Sequence, residues 1–188
     1  MKKLISLVLA LVMIACVAAG CAPANNDNDG KTPEVKTVEA LTALQTAWNA
    51  LGDDEKPFAM GGGYETMVDN APGSVPTTDE AYLTNILLVP AEEVSKISAA
   101  ASVMHAMNTN TFCAGALNLV DGADYNAFAT ALHEAIQGNR WMCGFPEKMY
   151  IANVGNCLVV AYGNTQLVDA FCGNLENATV LYNEAIEG

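Results

Sequence analysis

Two short apolar runs, Met149–Val154 and Cys157–Tyr162, are separated only by Gly155-Asn156. Each run is too short to stand as a helix. A glycine beside asparagine between apolar runs is the chemistry of a tight hairpin, because glycine takes the positive φ such a turn needs. Residues 149–162 are therefore committed to antiparallel β-structure, and the rest of the fold must pack against that pair.

Helical spacing dominates elsewhere. Val38, Leu41, Leu44, Trp48 and Leu51 share one face of a helix over Thr37–Leu51, and Gly52 stops it. Thr78, Asp79 and Glu80 cap a short helix reaching Leu88, and Pro90-Ala91-Glu92-Glu93 opens another at its first turn. Tyr125, Phe128, Leu132 and Ile136 make a helix ended by Gly138. A last helix starts at Gly163-Asn164-Thr165, with Leu167, Val168, Phe171 and Leu175 inward and a continuation towards Leu181. Phe112–Val120 reads as a strand. Residues 97–107 fit both periods: Ile97, Ala100, Ala101 and Met104 suit a helix, whereas Ala101, Val103, His105 and Met107 suit one face of a strand. Gly61-Gly62-Gly63 and Ala71–Thr78, which carries Pro72 and Pro76, read as loops. The glycine triplet lacks the following Lys-Ser/Thr of a phosphate cradle.

The expected fold class is α+β. Residues 37–188 would form a single domain, with a small, mainly antiparallel sheet of three to four strands packed with helices. No repeated strand–helix–strand unit points to a doubly wound sheet. Trp48, Phe128, Leu132, Val159, Phe171 and Leu175 are the expected core.

The N-terminus says where such a domain would work. Lys2 and Lys3 precede an apolar run from Leu4 to Ala19, and Val17-Ala18-Ala19-Gly20-Cys21 then gives way to Asn, Asp and Pro. The run falls short of the roughly 20 apolar residues of a permanent span. Residues 1–20 read as a signal peptide whose small-residue site ends on Cys21, the expected lipidation site. Cys16, after Met13-Ile14-Ala15, is a weaker candidate. Residues 21–36 form a flexible tether with a coil reach of about 20 Å. The expected location is the cell envelope, on the extracytoplasmic face of a membrane, and the expected partners are that membrane, through the lipid, and an envelope protein or small ligand.

Charge narrows the partners further. Of 8 basic residues, Lys2 and Lys3 fall in the signal, so 21 acids face 6 bases in the mature chain, a net −15. Such a surface repels phosphates, which argues against nucleic acid and against direct docking on anionic lipid.

The remaining cysteines, Cys113, Cys143, Cys157 and Cys172, lie 30, 14 and 15 residues apart. An even number in an exported chain allows two disulfides, and free buried thiols fit equally well. The spacing has no zinc signature. The Asn25–Gly30 run has a faint calcium-loop look, but the closing acid of that motif would fall at Lys36. Neither cofactor nor metal is expected.

The most unusual stretch is Asn139-Arg140-Trp141-Met142-Cys143-Gly144-Phe145-Pro146. Two aromatics in one short loop either plug the core or line a contact surface. Trp141, Phe145 and Pro146, with Asn108 and Asn110 from a second loop, form the expected binding set. The chemical alternative is a thiol enzyme in which Cys143 is activated by His105 or Arg140. His133, beside Glu134, suits a solvated helix face.

The signal, the acidic tether, His105-Ala-Met-Asn-Thr-Asn-Thr-Phe112, the Trp141–Pro146 loop and Val159-Val160-Ala161-Tyr162-Gly163 together resemble small surface lipoproteins of Gram-positive gut bacteria that carry a domain of unknown function. The likeness covers about residues 80–176. It implies an exported α+β module and a strand over Ala100–Met107, and it transfers no functional residues. The function expected from all this is a membrane-anchored, non-catalytic binding or accessory module of the cell envelope.

Overall fold

The computed structural model describes residues 37–107, 111–142 and 144–187. These lie in one compact unit, Val35–Gly188. Helix α1 (Ala40–Ala50) is followed by three short strands, β1 (Ala59–Gly61), β2 (Val68–Asp69) and β3 (Gly73–Val75). Helix α2 (Glu80–Asn85) and a 3-10 turn at Val94–Lys96 lead into β4 (Ile97–His105) and β5 (Phe112–Leu119). Then come α3 (Tyr125–Gln137), β6 (Lys148–Val154), β7 (Cys157–Gly163), α4 (Thr165–Cys172) and β8 (Ala178–Ala185).

The strands form one eight-stranded sheet in the order β2-β1-β4-β5-β7-β6-β8, with β3 also paired to β4 and every pairing antiparallel. The expected sheet of three to four strands is therefore corrected: the sheet is twice that size, with helices on both faces. The shortfall has three sources. Residues 97–107 resolve as a strand. The two segments read as loops carry the end of β1 and the whole of β3, and the stretch between them supplies β2. The last helix stops at Gly173, and Ala178–Ala185 is a strand rather than its continuation.

Both faces of the central strands are covered, so β5 and β7 are buried at every position. That is why they read as unbroken apolar runs without alternation. One face is built from alanine. Ala59, Ala101, Ala114, Ala116, Ala152 and Ala161 of the sheet meet Ala40, Ala43 and Ala47 of α1, with Trp48 and Phe171 closing the layer. Small side chains on both surfaces let α1 lie close to the sheet. The opposite face carries the bulk: Leu117, Met149, Ile151, Leu158, Val160 and Tyr162 pack on Leu83 and Leu87 and on Phe128, Leu132 and Ile136 of α3. The six expected core residues are all buried.

The glycine triplet serves backbone packing. A Cβ on Gly61 would sit 2.2 Å from the Ala71 carbonyl oxygen and 2.5 Å from the Gly73 nitrogen, so only glycine lets β1 and β3 meet end to end along β4. Ser102 beneath them donates to the Gly62 carbonyl at 3.0 Å and pairs with the Tyr82 hydroxyl at 2.9 Å.

The sheet has two distinct ends. At the hairpin end, Gly155-Asn156 turns β6 into β7, and the chain entering α1 is fastened there. Asn118 accepts from the Ala40 N–H at 2.8 Å and donates to the Val38 carbonyl at 2.8 Å, while the Asn156 side chain accepts from the Val38 N–H at 2.6 Å. The opposite end gathers the loops. Register there aligns Ala59 with His105, Met104 with Cys113, Phe112 with Gly163, and Gly163 with Lys148. The two ends are separated by the length of β7, about 24 Å at strand rise.

Candidate functional site

The loop end brings together segments far apart in sequence. Residues 51–58 leave α1 there and enter β1. His105 ends β4. Residues 138–147 link α3 to β6, and Asn164 opens α4. Between the first of these segments and α4 lies a groove of about 450 Å³, lined by Asp54, Glu55, Lys56, Pro57, His105, Asn164, Gln166, Leu167 and Ala170. Pro57, Leu167 and Ala170 supply its apolar part and Asp54 and Glu55 its acids.

His105 lies on the α1/α4 side of the sheet. Its Nδ1 accepts from the Met107 N–H at 3.0 Å, so the neutral ring carries its proton on Nε2. The start of α4 is closed by side chains. Asn164 accepts from the Gln166 N–H at 3.1 Å, and Glu147 accepts from the Thr165 N–H at 2.9 Å. The hydrogen bonds from Thr165 hold the Glu147 carboxyl below its usual range. The helix N-terminus is thus already occupied by a carboxylate. Two cations of this end are also engaged: Lys148 reaches Asp169 at 2.5 Å and Lys56 reaches Asp53 at 3.6 Å.

Trp141 lies on the other side of the sheet. Its ring packs on Tyr162 with centroids 5.3 Å apart, and its buried indole nitrogen has no hydrogen-bond partner among the described residues. The Tyr162 hydroxyl donates to the Ile86 carbonyl at 2.5 Å. Past Trp141 the loop turns outward: Met142 is 90% exposed and Phe145 70%, whereas Pro146 is buried. Arg140 is exposed. Phe58 and Met107 are 60% and 56% exposed at the same end, joined through the hydrogen bond from the Ala106 N–H to the Phe58 carbonyl.

Of the residues singled out from sequence, His105 and Trp141 come to the same end but to opposite faces. Phe145 is exposed there and Pro146 is buried. Asn108, Asn110 and Cys143 lie outside the described residues, as do Cys21 and the whole of residues 1–36. Phe58, Met107 and the groove segment Asp54–Pro57 were not identified from sequence. The run of acids before Phe58 marks a loop, but its place beside His105 depends on β1 pairing with β4.

Cys113, Cys157 and Cys172 are free and buried. Cys113 belongs to the bulky face, Cys157 and Cys172 to the alanine face. Burial pushes the Cys113 and Cys157 thiols up to about 12, and raises Cys172 as well. A thiol held protonated in an apolar core is a poor nucleophile, so these three act as packing.

No protein-family model, curated protein or solved structure matches this chain.

Proposed function

We propose that the protein is an extracytoplasmic lipoprotein, held to the membrane through Cys21, that works as a non-catalytic binding or accessory module of the cell envelope with the loop end of its sheet as the contact surface. The observation that carries this reading is the opposition of the two ends. The chain from the tether is fastened at Asn118 and Asn156, whereas Phe58, Met107, Met142 and Phe145 stand exposed at the other end. A tether rooted at one end of a rigid sheet leaves the other end free for a partner, and loops on such a scaffold are suited to recognition. Four of the nine large apolar side chains exposed among the described residues stand at this one end, and apolar side chains left in solvent together mark contact surfaces.

The anchor is tested by fractionation. Cys21→Ala is expected to release the chain from the membrane fraction or to leave the precursor uncut. A Cys21→Ala chain that fractionates like wild type with the same mature mass would remove the lipoprotein reading.

A further inference from the structure

Resting on that reading, we infer that the loop end takes a basic polypeptide segment carrying apolar side chains. The argument begins with what is exposed. Phe58, Met107, Met142 and Phe145 all lie beyond one end of five neighbouring strands, β1-β4-β5-β7-β6. At the usual strand spacing this edge is about 19 Å wide, enough for a short segment of chain. Two of the four are methionines, whose flexible, polarisable side chains adapt to varied apolar partners.

Charge fixes the sign of the partner. Among the described residues the same end carries Asp54, Glu55, Glu147 and Glu187 outside ion pairs, besides Asp53, which is paired with Lys56. Lys56 and Lys148 are spent on Asp53 and Asp169, so among the described residues Arg140 is its one cation outside an ion pair. With a mature net charge of −15, counted as 6 bases against 21 acids, the wider field has the same sign. A partner must therefore offer Lys or Arg beside its apolar groups. The groove has room for one such side chain: Pro57, Leu167 and Ala170 offer apolar surface to its stem and Asp54 and Glu55 opposite charge to its head, beside Lys56, which is paired with Asp53.

The bilayer is the competing occupant. The described chain enters the domain at the opposite end of the sheet, where Val38 is fastened to Asn118 and Asn156, and acidic side chains are repelled by anionic headgroups. Both facts favour a polypeptide.

The test uses the chain from Ala22 to Gly188, which contains the whole compact unit, with its melting transition checked first. The probe is a synthetic 15-residue peptide of Lys and Leu with helical spacing, titrated by calorimetry. Its Glu/Leu and Lys/Ser counterparts report on charge and apolarity. The Lys/Leu peptide is expected to bind, and the other two are not. Met142→Ser with Phe145→Ser should weaken binding about tenfold without moving the melting midpoint, because both side chains are exposed. Val120→Ser, an exposed apolar change at the hairpin end, should leave binding unchanged. Lack of Lys/Leu binding, equal binding of Glu/Leu, or equal loss with Val120→Ser each overturns the inference. So does co-sedimentation of this unlipidated chain with phosphatidylcholine–phosphatidylglycerol vesicles in a Phe145-dependent way, which would assign the patch to lipid. Failure of the peptide while Cys21→Ala still releases the protein sinks the partner class alone; unchanged fractionation of Cys21→Ala sinks the anchored reading beneath it.

Discussion

Asn118 caps α1 from across the fold: its side-chain oxygen accepts from the Ala40 N–H at 2.8 Å, 78 residues away in sequence. The first turn of α1 has no cap of its own, since Glu39 makes no side-chain cap hydrogen bond. The donor side of the Asn118 amide reaches the Val38 and Asn156 carbonyls at 2.8 and 3.1 Å. One buried amide thus ties the start of the domain to β5 and to the hairpin turn. Asn118→Leu removes these bonds and leaves buried backbone groups unpaired, which should cost about 2–4 kcal/mol. Urea denaturation measures it, and an unchanged midpoint would mean that water replaces the amide at no cost.

The bulky face is tested at Phe128, which α3 buries almost completely. Phe128→Ala should cost about 3–5 kcal/mol, because the flanking Leu132, Ile136 and sheet residues cannot close the void. Phe128→Leu should cost less. Equal loss in the two variants would point to a contact specific to the ring.

Acid should loosen the C-terminal strand. No residue of β8 is buried, and α3 holds it through polar contacts. His133 Nε2 lies 2.7 Å from the Glu184 carboxylate, and the His133 ring stacks on Tyr182 at 4.1 Å. Gln137 donates to Glu184 at 3.0 Å and to the Ala185 carbonyl at 3.1 Å. The hydrogen bond with His133, then that with Gln137, holds the Glu184 carboxyl below its usual range. A carboxyl depressed in the folded state stabilises it above the unfolded value, and that contribution is lost as pH falls through the folded one. The melting-point gap between wild type and Glu184→Gln should therefore be open at pH 7 and close as pH falls below the ordinary glutamate value of about 4.3. A gap independent of pH would show that the carboxylate charge has no part in it.

Thiol chemistry separates packing from reactivity. Cys113, Cys157 and Cys172 are buried and held protonated. Alkylation of the native protein at pH 8, read by peptide mass spectrometry, should leave all three unmodified, and denaturant should expose them. Rapid native labelling of any of the three would contradict its placement in the core.

The helices were legible where one face is apolar and the other polar, and β5 and β7 as short unbroken apolar runs. Leu44, Trp48, Phe128, Leu132 and Ile136 stand at helical spacing because α1 and α3 each bury one stripe. The Gly155 turn was visible because a tight hairpin needs glycine chemistry there. The rest was hidden for physical reasons. β4 runs Ile-Ser-Ala-Ala-Ala-Ser-Val-Met-His, and alanine suits a close-packed sheet face as well as a helix. β1 and β3 consist largely of glycine and small residues because their backbones nearly touch, and such segments carry no period. β8 lies at an edge with a bulge opposite Ile151 and Ala152, so Val180, Leu181 and Tyr182 show no clean alternation.

The site was half legible for the same reason. Trp141 and Phe145 stood out because two aromatics in a short loop are rare. Phe58 and Met107 are single apolar residues until the sheet register sets Phe58 beside Ala106. Asn118 gave no signal at all, since an asparagine late in a strand is ordinary until a helix start is laid over it.

The central claim, that the protein meets its partner with the loop end of its sheet, is tested most directly by site-specific photo-crosslinking in intact cells. A photoreactive residue replaces Phe145 at the loop end or, in a second strain, Val120 at the hairpin end; both side chains are exposed. The expected result is a discrete crosslinked species from position 145 and none from position 120. A species from position 120 alone, or equal yields from the two positions, would contradict the account.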